Sequence, residues 1–254
     1  MIQANIAHTP SDTGTQLQKA QENNISNPNT PYRQAVGSLM YLMLTTRLDI
    51  ATALNKAAQH STNYDDTHWT AVKHIIRYIK GSSTLTLTLG ANSNTQEIIL
   101  TGASDSDWAG DINDRRSTSG YLFFINDSLI SWKSHKQNTI ATSSTQAEYH
   151  ALSTAAKEAI WLRYFLEEIG HEQQAPTTIL QDNQSMIVLA HNPINHNRTK
   201  HIDVIHHHIR ELIESNAITL EYRSTTDMPA DAMTKPLARP KFEQYRKTMG
   251  VLEV

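Results

Sequence analysis

The chain has 254 residues, of which 39% are hydrophobic and 19% are charged, and its formal net charge is −3. The absence of cysteine excludes a disulfide scaffold, a thiol nucleophile and a cysteine zinc site. No apolar run reaches the roughly 18 residues of a membrane-spanning helix, and the N-terminus lacks the pattern of a secretory signal. The negative charge predicts that any nucleic acid is bound locally or with the help of metal ions.

The first part of the chain predicts a lead-in followed by a small helical module. Residues 1–30 are polar and low in aromatic residues, which indicates an extended or poorly ordered segment. Apolar residues then recur at helical spacing in three segments, namely Tyr32–Thr45, Asp49–His60 and Thr67–Lys80. Asp66 or Thr67 is expected to cap the third helix, and Gly81 to end it. We therefore expect a helical module over residues 31–82.

Residues 83–250 predict an α/β domain, because the hydrophobic period changes after the helices. Strands are expected at Thr84–Leu89, Glu97–Ser104, Gly120–Ile125, Leu129–Trp132 and Thr139–Thr142. A long helix, a strand, two helices, a strand and a helical region follow at Thr145–Ile169, Thr177–Gln181, Asn183–His191, about Thr199 to Ser215, Ile218–Arg223 and beyond Pro229. Meandering strands followed by alternating strands and helices predict a mixed sheet with flanking helices.

Four carboxylates occupy positions that suit metal binding: Asp105, Glu148, Asp182 and Asp231. Asp105 interrupts or ends an apolar strand, although aspartate is a weak strand former. The helix stripe that is expected to face the core consists of Leu152, Ala155, Ala159, Leu162 and Leu166. Glu148 precedes Leu152 by four residues, so it heads this stripe. Asp182 follows an apolar strand, at the kind of strand end where α/β sheets bind ligands.

Each carboxylate also has a purely structural interpretation. Asp105 can end a strand, Thr145-x-x-Glu148 matches a capping box, and Asp182 can cap a helix. Asp231 lies in the first turn of the last helix, where the helix dipole favours it. Taken together, however, oxygen ligands from two strands and two helix starts can hold Mg²⁺. Two such ions activate a water and stabilise the leaving oxygen of a phosphodiester.

Longer motifs follow one another over most of the α/β domain. They are Ser104-Asp-Ser-Asp-Trp-Ala-Gly-Asp111, Arg116-Ser-Thr-Ser-Gly-Tyr121, Ile130-Ser-Trp-Lys133, Ser143-Ser-Thr-Gln-Ala-Glu-Tyr149, Asp182-Asn183, Arg198-Thr-Lys-His-Ile-Asp203 and Ala230-Asp-Ala-Met-Thr-Lys-Pro236. In order and spacing they resemble the ribonuclease H region of copia-type LTR retrotransposon polyproteins. The end of the reverse transcriptase of the same polyproteins is similar to Tyr32-Arg-Gln-Ala-Val-Gly-Ser-Leu-Met-Tyr41, Leu48-Asp-Ile-Ala51 and His68-Trp-Thr-Ala-Val-Lys73.

This resemblance implies a fold and an activity. The fold would be a ribonuclease H-like mixed five-stranded sheet with flanking helices, after a module like a reverse-transcriptase thumb or connection. The four carboxylates would hold two Mg²⁺ ions, for which Mn²⁺ can substitute. The reaction would be hydrolysis of the RNA strand of an RNA–DNA hybrid, recognised by its shape and 2′-hydroxyls. The resemblance further implies that the polymerase portion of the polyprotein is a partner and that no membrane is. It places the protein in cytoplasmic virus-like particles or in the nucleus.

The resemblance also suggests residues around the carboxylates. Lys133, Arg198 and Lys200 are candidate contacts to the nucleic-acid backbone. Asp107 is the alternative to Asp105, because residues two apart in a strand point to the same face. The loop of residues 224–230 lacks the histidine that many cellular and retroviral relatives place before the last carboxylate.

The chain departs from the family pattern at several positions near the motifs. Glutamine replaces glutamate, histidine replaces lysine, leucine replaces proline, and Ile-His replaces a basic or aromatic pair, at Gln146, His135, Leu48 and Ile205-His206 respectively. Because positive charges are lost, these departures predict weaker binding of the hybrid.

Three alternatives accompany this interpretation. Tyr64-Asp65-Asp66 resembles the end of a polymerase motif, but the helix that follows favours a helix cap. The histidines of the helix near residue 205 suggest a zinc site, but adjacent histidines on a helix point in different directions. The face expected to pack on the core is formed by Ile202, Ile205, Ile209 and Leu212. The histidines are His201, His206, His207 and His208. The rival functions are an inactive nucleic-acid-binding remnant and another phosphoryl-transfer enzyme, such as an integrase or an exonuclease.

Overall fold

The computed structural model describes residues 3–21, 29–90, 97–191 and 200–253, and of residues 200–204 it describes only the backbone. Contacts divide the chain into two compact units. The first comprises Met1–Thr88, Asp111–Arg115 and Lys235–Val254, and the second comprises Leu89–Gly110 and Arg116–Thr234. Residues 235–250 thus pack within the first unit, although the sequence pattern groups them with the α/β domain.

The helices and strands of the described residues follow the predicted order with few exceptions. They are α1 (Tyr32–Thr45), α2 (Ala51–Ala58), α3 (Asp66–Gly81), β1 (Leu85–Leu87), β2 (Leu100–Asp107), β3 (Thr118–Ile125), β4 (Ser128–Lys136), α4 (Ser144–Glu168), β5 (Thr177–Gln181), α5 (Gln184–His191), α6 (Lys200–Glu214), β6 (Ile218–Tyr222), α7 (Arg239–Thr248) and β7 (Val251–Glu253). Short 3-10 turns lie at Leu48–Ile50, Thr225–Asp227 and Pro229–Met233. Within the described ranges, no helix combines the length and the apolar character that crossing a membrane requires.

In the first unit, α3 begins with a capping box. The Asp65 side chain accepts hydrogen bonds from the backbone N–H groups of Thr67 and His68, and the His68 side chain contacts the Asp65 backbone in return. Although partial burial opposes the change, hydrogen bonds from the Thr67 hydroxyl and from the backbone and side chain of His68 lower the pKa of Asp65 to about 2. The helix-cap interpretation of Tyr64-Asp65-Asp66 is therefore confirmed, with Asp65 as the cap in place of the predicted Asp66 or Thr67.

A buried ion pair fixes the turn between α1 and α2. Arg47 Nη2 lies 2.8 Å from Asp49 Oδ2, and both side chains are almost completely buried. The Tyr78 hydroxyl donates to the same carboxylate, while Arg47 donates to the Ser82 carbonyl oxygen at 3.0 Å and to the Ser82 hydroxyl. Because the buried charges are paired and hydrogen-bonded, removing one partner would leave the other uncompensated.

The alternating segment Thr84–Leu89 forms only the short strand β1, which lies in the first unit. β1 pairs antiparallel with β7, so that Leu85 faces Glu253 and Leu87 faces Val251. These two strands form a sheet of their own.

The second unit contains a mixed five-stranded sheet in the order β4-β3-β2-β5-β6. The pairs β4/β3 and β3/β2 are antiparallel, whereas β2/β5 and β5/β6 are parallel. The β3–β4 hairpin turns at Asn126, whose φ of 52° lies in the left-handed region that asparagine tolerates. This order and these directions, with the flanking helices, are the ribonuclease H-like fold, so the predicted fold class is confirmed.

Helix α4 packs against β2 and β3 with the face that the periodicity predicts. The predicted stripe is almost completely buried at Leu152, Ala155, Ala159, Leu162 and Leu166. Ala147 and Ala151 are also buried, and their small side chains let the helix approach the sheet closely.

Two predicted strands require correction. The predicted strand Thr139–Thr142 is wrong, since residues 137–143 are irregular and Ile140 is 56% exposed. The segment instead leads from β4 to the cap of α4, with Ala141 buried and Ile140 exposed. The strand predicted at Glu97–Ser104 starts later and extends further, as Leu100–Asp107, which places Asp105 inside the strand.

Candidate active site

Three carboxylates meet at one end of the five-stranded sheet. One carboxylate oxygen from each of Asp105, Glu148 and Asp182 lies within 4.8 Å of the others. Asp105 is 2% exposed and Glu148 is 6% exposed, whereas Asp182 is partly exposed. The three side chains come from β2, from α4 and from the residue that follows β5.

The strand register explains why Asp105 and Asp182 meet. β2 and β5 are parallel neighbours, and Ala103 pairs with Leu180. Asp105 and Asp182 each lie two residues beyond this pair, so they project toward the same face at the same end of the sheet. Between them, the Gln181 side chain donates a hydrogen bond to the buried Ser104 hydroxyl, which ties the two strands together.

The start of α4 places Glu148 on the buried face of the helix. The cap is Ser143, whose hydroxyl accepts a hydrogen bond from the Gln146 N–H at 3.1 Å. The capping box predicted for Thr145 and Glu148 is therefore wrong. The helix begins two residues earlier than that match requires, and the Gln146 side chain accepts from the Thr142 N–H at 2.7 Å.

A buried glutamine anchors the first turns of α4 to the sheet. Gln137 Nε2 donates to the Ala147 carbonyl oxygen at 2.9 Å and to the Ser119 hydroxyl at 2.8 Å. Ala147 precedes Glu148, and Ser119 precedes the β3 residue that pairs with Asp105. The contact therefore fixes the helix relative to the strands that carry the site.

Two threonines hold the carboxylates of the aspartates. The Thr234 hydroxyl donates to Asp105 Oδ2, and both side chains are buried. The Thr225 hydroxyl donates to Asp182 Oδ2 at 2.8 Å. The structural alternative that Asp182 caps α5 does not hold, because the Asn183 side chain accepts from the Met186 N–H at 3.0 Å and makes that contact.

Asp231 is completely buried in the 3-10 turn Pro229–Met233. Within the described residues it is not part of the three-carboxylate group. Thr234 connects it to that group, since the hydroxyl that donates to Asp105 also contacts the Asp231 carbonyl oxygen at 3.2 Å. Met228 and Ala230 pack against Ala103 of β2 and so hold the turn on the sheet.

Asp107, the alternative to Asp105, lies at the end of β2 and also outside the three-carboxylate group of the described residues. The structure therefore brings Asp105, and not Asp107, together with Glu148 and Asp182.

The candidate nucleic-acid contacts are described only in part. Lys133 is exposed on β4, where it pairs with Tyr121 of β3. Arg198 lies outside the described residues, and Lys200 begins α6 with its side chain not described. Near Lys133, burial and then the lysine charge lower the pKa of His135 to about 4.

The histidine-rich helix α6 packs through its isoleucines and leucine. Ile209 is buried, and Ile205 and Leu212 pack against the same core, as the periodicity predicts. The His206 ring stacks on Tyr149 with 3.9 Å between ring centroids. The side chains of residues 201–204 are not described, so the predicted contacts of His201 and Ile202 lie outside the described residues.

Sequence patterns missed the residues that support the carboxylates. Thr225 carries no local signal, because its partner lies 43 residues earlier in the chain. Thr234 belongs to the motif of residues 230–236, which signals the segment but not the contact with Asp105. Ser104 and Gln181 look like ordinary strand residues, and only the pairing of β2 with β5 brings them together.

The donor set fits a hard divalent cation. The three carboxylates supply only oxygen ligands. Mg²⁺, Mn²⁺ and Ca²⁺ prefer such ligands, whereas softer metals prefer thiolate or imidazole ligands. A ribonuclease H-like sheet with this acidic cluster at the ends of β2 and β5 defines a ribonuclease H-like protein.

Comparison with curated proteins finds similar polyproteins. The chain is 43% identical over 221 residues to the retrovirus-related Pol polyprotein from transposon TNT 1-94 of Nicotiana tabacum, covering 87% of the chain and 16% of that polyprotein. It is 37% identical over 254 residues to that from transposon RE2 of Arabidopsis thaliana, covering 100% of the chain and 17% of that polyprotein. Over most of its length the chain is similar to one segment of the retrovirus-related Pol polyproteins of transposons, and it spans about a sixth of these relatives.

No protein-family model matches the chain. Among solved structures, it is similar to the N-terminal RNase H domain of a Mycobacterium tuberculosis protein, solved as a fusion with maltose-binding protein. The identity is 12% and the TM-score 0.41, over 60% of this chain and 99% of that one.

Proposed function

We propose that the chain hydrolyses the RNA strand of RNA–DNA hybrids during reverse transcription of a retrotransposon. The observation that carries the proposal is the convergence of Asp105, Glu148 and Asp182 within 4.8 Å, at one end of a ribonuclease H-like sheet. The similarity to a segment of transposon Pol polyproteins supports the same activity, since reverse transcription produces such hybrids.

Asp105, Glu148 and Asp182 would hold Mg²⁺, with Mn²⁺ as a substitute, and we propose Asp231 as a fourth carboxylate for a two-ion site. Bound in this way, the ions would lower the pKa of a water and stabilise negative charge on the leaving 3′-oxygen. Cleavage would leave a 3′-hydroxyl and a 5′-phosphate.

The protein's own contribution is to hold the carboxylates in place before the hybrid arrives. Thr234 orients Asp105, and Thr225 orients Asp182, through hydroxyl hydrogen bonds. Burial of Asp105 and Glu148 limits their access to water, which strengthens their attraction for a cation. The ligands therefore need little rearrangement on binding, which is the condition for an efficient site.

Recognition of the hybrid would depend on few positive charges. Lys133 is the described candidate for a phosphate contact. We propose Arg198 and Lys200 as further phosphate contacts. The net charge of −3 gives little non-specific attraction for nucleic acid. We therefore propose that the polymerase portion of the polyprotein helps to hold the hybrid.

The test is cleavage of an end-labelled RNA–DNA hybrid in Mg²⁺ or Mn²⁺, beside duplex DNA and duplex RNA. Asp105→Asn and Asp182→Asn should each lower the rate by more than about a hundredfold, since they remove ligands themselves. Asp127→Asn is the matched control, because this exposed carboxylate lies in the turn between β3 and β4. Its rate should equal that of the unchanged chain.

Two results would contradict the proposal. Cleavage that survives both ligand substitutions would assign the activity to another site. No cleavage, even after the polymerase portion is added, would favour an inactive nucleic-acid-binding remnant.

A further inference from the structure

Helix α4 carries a second stripe, which faces away from the sheet. Its members, Lys157, Trp161, Tyr164 and Glu168, are spaced by four, three and four residues, so they lie along one face. Trp161 is 58% exposed and Tyr164 is 64% exposed. The opposite stripe of α4 is buried, so these two exposed aromatic side chains in the C-terminal half of the helix form an unpartnered face within the described residues.

Neighbouring side chains enlarge the apolar part of this stripe. Phe165 and Ile169 are 46% and 53% exposed. The Trp161 and Phe165 rings stack with 5.7 Å between centroids. A contiguous exposed apolar patch of this kind, bordered by charges, is typical of a protein–protein contact.

The charges at the two ends of the stripe indicate the partner. Lys157 precedes Trp161 by four residues, and Glu168 follows Tyr164 by four. The stripe is therefore symmetric about its centre in spacing and opposite in charge at its ends. A second copy of α4, running antiparallel about a two-fold axis between Trp161 and Tyr164, would place Lys157 beside Glu168 of the other copy, twice.

We propose that the outer stripe of α4 is the interface of a homodimer in which the two α4 helices pack antiparallel. Trp161 of each copy packs on Tyr164 of the other, and the Lys157–Glu168 pairs fix the register. The spacing of four, three and four is that of helix pairs with side chains interdigitating along one seam. Binding of a different protein would not require the charges of Lys157 and Glu168 to complement each other. Binding of a second copy about a two-fold axis does require it.

The interface is independent of the proposed active site. Glu148 lies nine residues before Lys157, which is about two and a half helical turns. Because the contact is one face of one helix, it is smaller than standard stable interfaces, and we expect micromolar affinity. The charged pairs at its ends contribute mainly to orientation.

The test is sedimentation equilibrium of the 254-residue chain over a range of concentrations. The unchanged chain should shift from its monomer mass of 28.6 kDa to twice that mass. Lys157→Glu and Glu168→Lys each place like charges together at both ends of the dimer, and each should raise Kd about tenfold. The combined variant restores both pairs in reversed order, and its Kd should return to that of the unchanged chain.

Two further variants complete the design. Asp127→Lys changes an exposed charge outside α4 and should leave Kd unaltered. Trp161→Ser should abolish the dimer without unfolding the chain, since this side chain is more than half exposed. Circular dichroism checks the fold of each variant.

A chain that stays monomeric at every concentration would overturn the proposal. A dimer whose Kd ignores the single charge inversions, or whose combined variant does not recover, would overturn it as well. Binding of the polymerase portion to the same stripe, without self-association, would assign the surface to that partner.

Discussion

The Thr234 hydroxyl donates a hydrogen bond to the carboxylate of Asp105, although 129 residues separate the two in the chain. The contact joins the central strand β2 to the segment that carries Asp231. Because Thr234 also contacts the backbone carbonyl oxygen of Asp231, one hydroxyl links the Asp105 carboxylate to the backbone of the turn that carries Asp231. The site is therefore completed only when the last part of the second unit folds onto the sheet.

Thr234→Val tests this contact with little change in volume. The variant loses the hydrogen bond from the Thr234 hydroxyl to Asp105, so we expect the rate of hybrid cleavage to fall about tenfold. The free energy of unfolding should fall by about 1.5–3 kcal/mol, as for a buried hydrogen bond to a charged group. Cleavage assays and urea denaturation measure the two effects. Thr234→Ser keeps the hydroxyl and should retain most of the activity; equal losses in both variants would argue against an orienting role.

Gly120→Ala should disturb the segment that carries Asp231. Gly120 pairs with Asp105 across β2 and β3. A Cβ atom there would lie 2.9 Å from Thr234 Cγ2 and closer still to Met233 Cβ. We expect a loss of about 2 kcal/mol in the free energy of unfolding, together with weaker metal binding, because the turn must move away from the sheet.

The control is Gly37→Ala on the exposed face of α1, where no atom lies within 4 Å of the new Cβ. It should stabilise the chain by about 0.5–1 kcal/mol, since alanine favours a helix interior. Similar effects from the two variants in urea denaturation would contradict the steric argument at Gly120.

His135 predicts a pH dependence of stability. Burial and then the Lys133 charge lower its pKa from an ordinary 6.5 to about 4. Between these values the unfolded chain takes up a proton that the folded chain does not. The contribution of His135 to the free energy of unfolding is therefore complete above pH 6.5 and is lost as the pH falls toward 4. We expect it to amount to about 1–2 kcal/mol, after allowance for solvent screening.

Urea denaturation at pH 7 and pH 5 measures this change. In His135→Gln, which cannot titrate at this position, the difference between the two pH values should shrink by that amount. An unchanged difference, or an NMR titration that gives His135 an ordinary pKa, would contradict the prediction.

Local sequence patterns were sufficient for much of the fold and for the convergence of three predicted carboxylates, namely Asp105, Glu148 and Asp182. The buried stripe of α4 and the apolar strands before Asp105 and Asp182 follow from hydrophobic periodicity, because each element buries one side. The placement of Asp105 beside Asp182 then follows from two parallel neighbouring strands, whose ends share one edge of the sheet.

Contacts between distant segments could not be predicted in this way. The pairing of β1 with β7 joins Leu85 to Glu253, and no periodicity in either segment names the other. At Thr139–Thr142 the spacing from the preceding strands suggests a further strand, but the chain instead leads into the cap of α4. Thr225 and Thr234 meet their partners only in the tertiary structure, so nothing in the local sequence distinguishes them from other polar loop residues.

The most direct measurement of the central claim is a calorimetric titration of the chain with Mn²⁺, without any nucleic acid. We predict saturable binding that is lost or greatly weakened in Asp105→Asn and Asp182→Asn and retained in Asp127→Asn. This outcome would establish the carboxylates as metal ligands, whether or not the chain cleaves a hybrid by itself. Binding of equal strength in all four proteins, or no binding in the unchanged chain, would contradict the account.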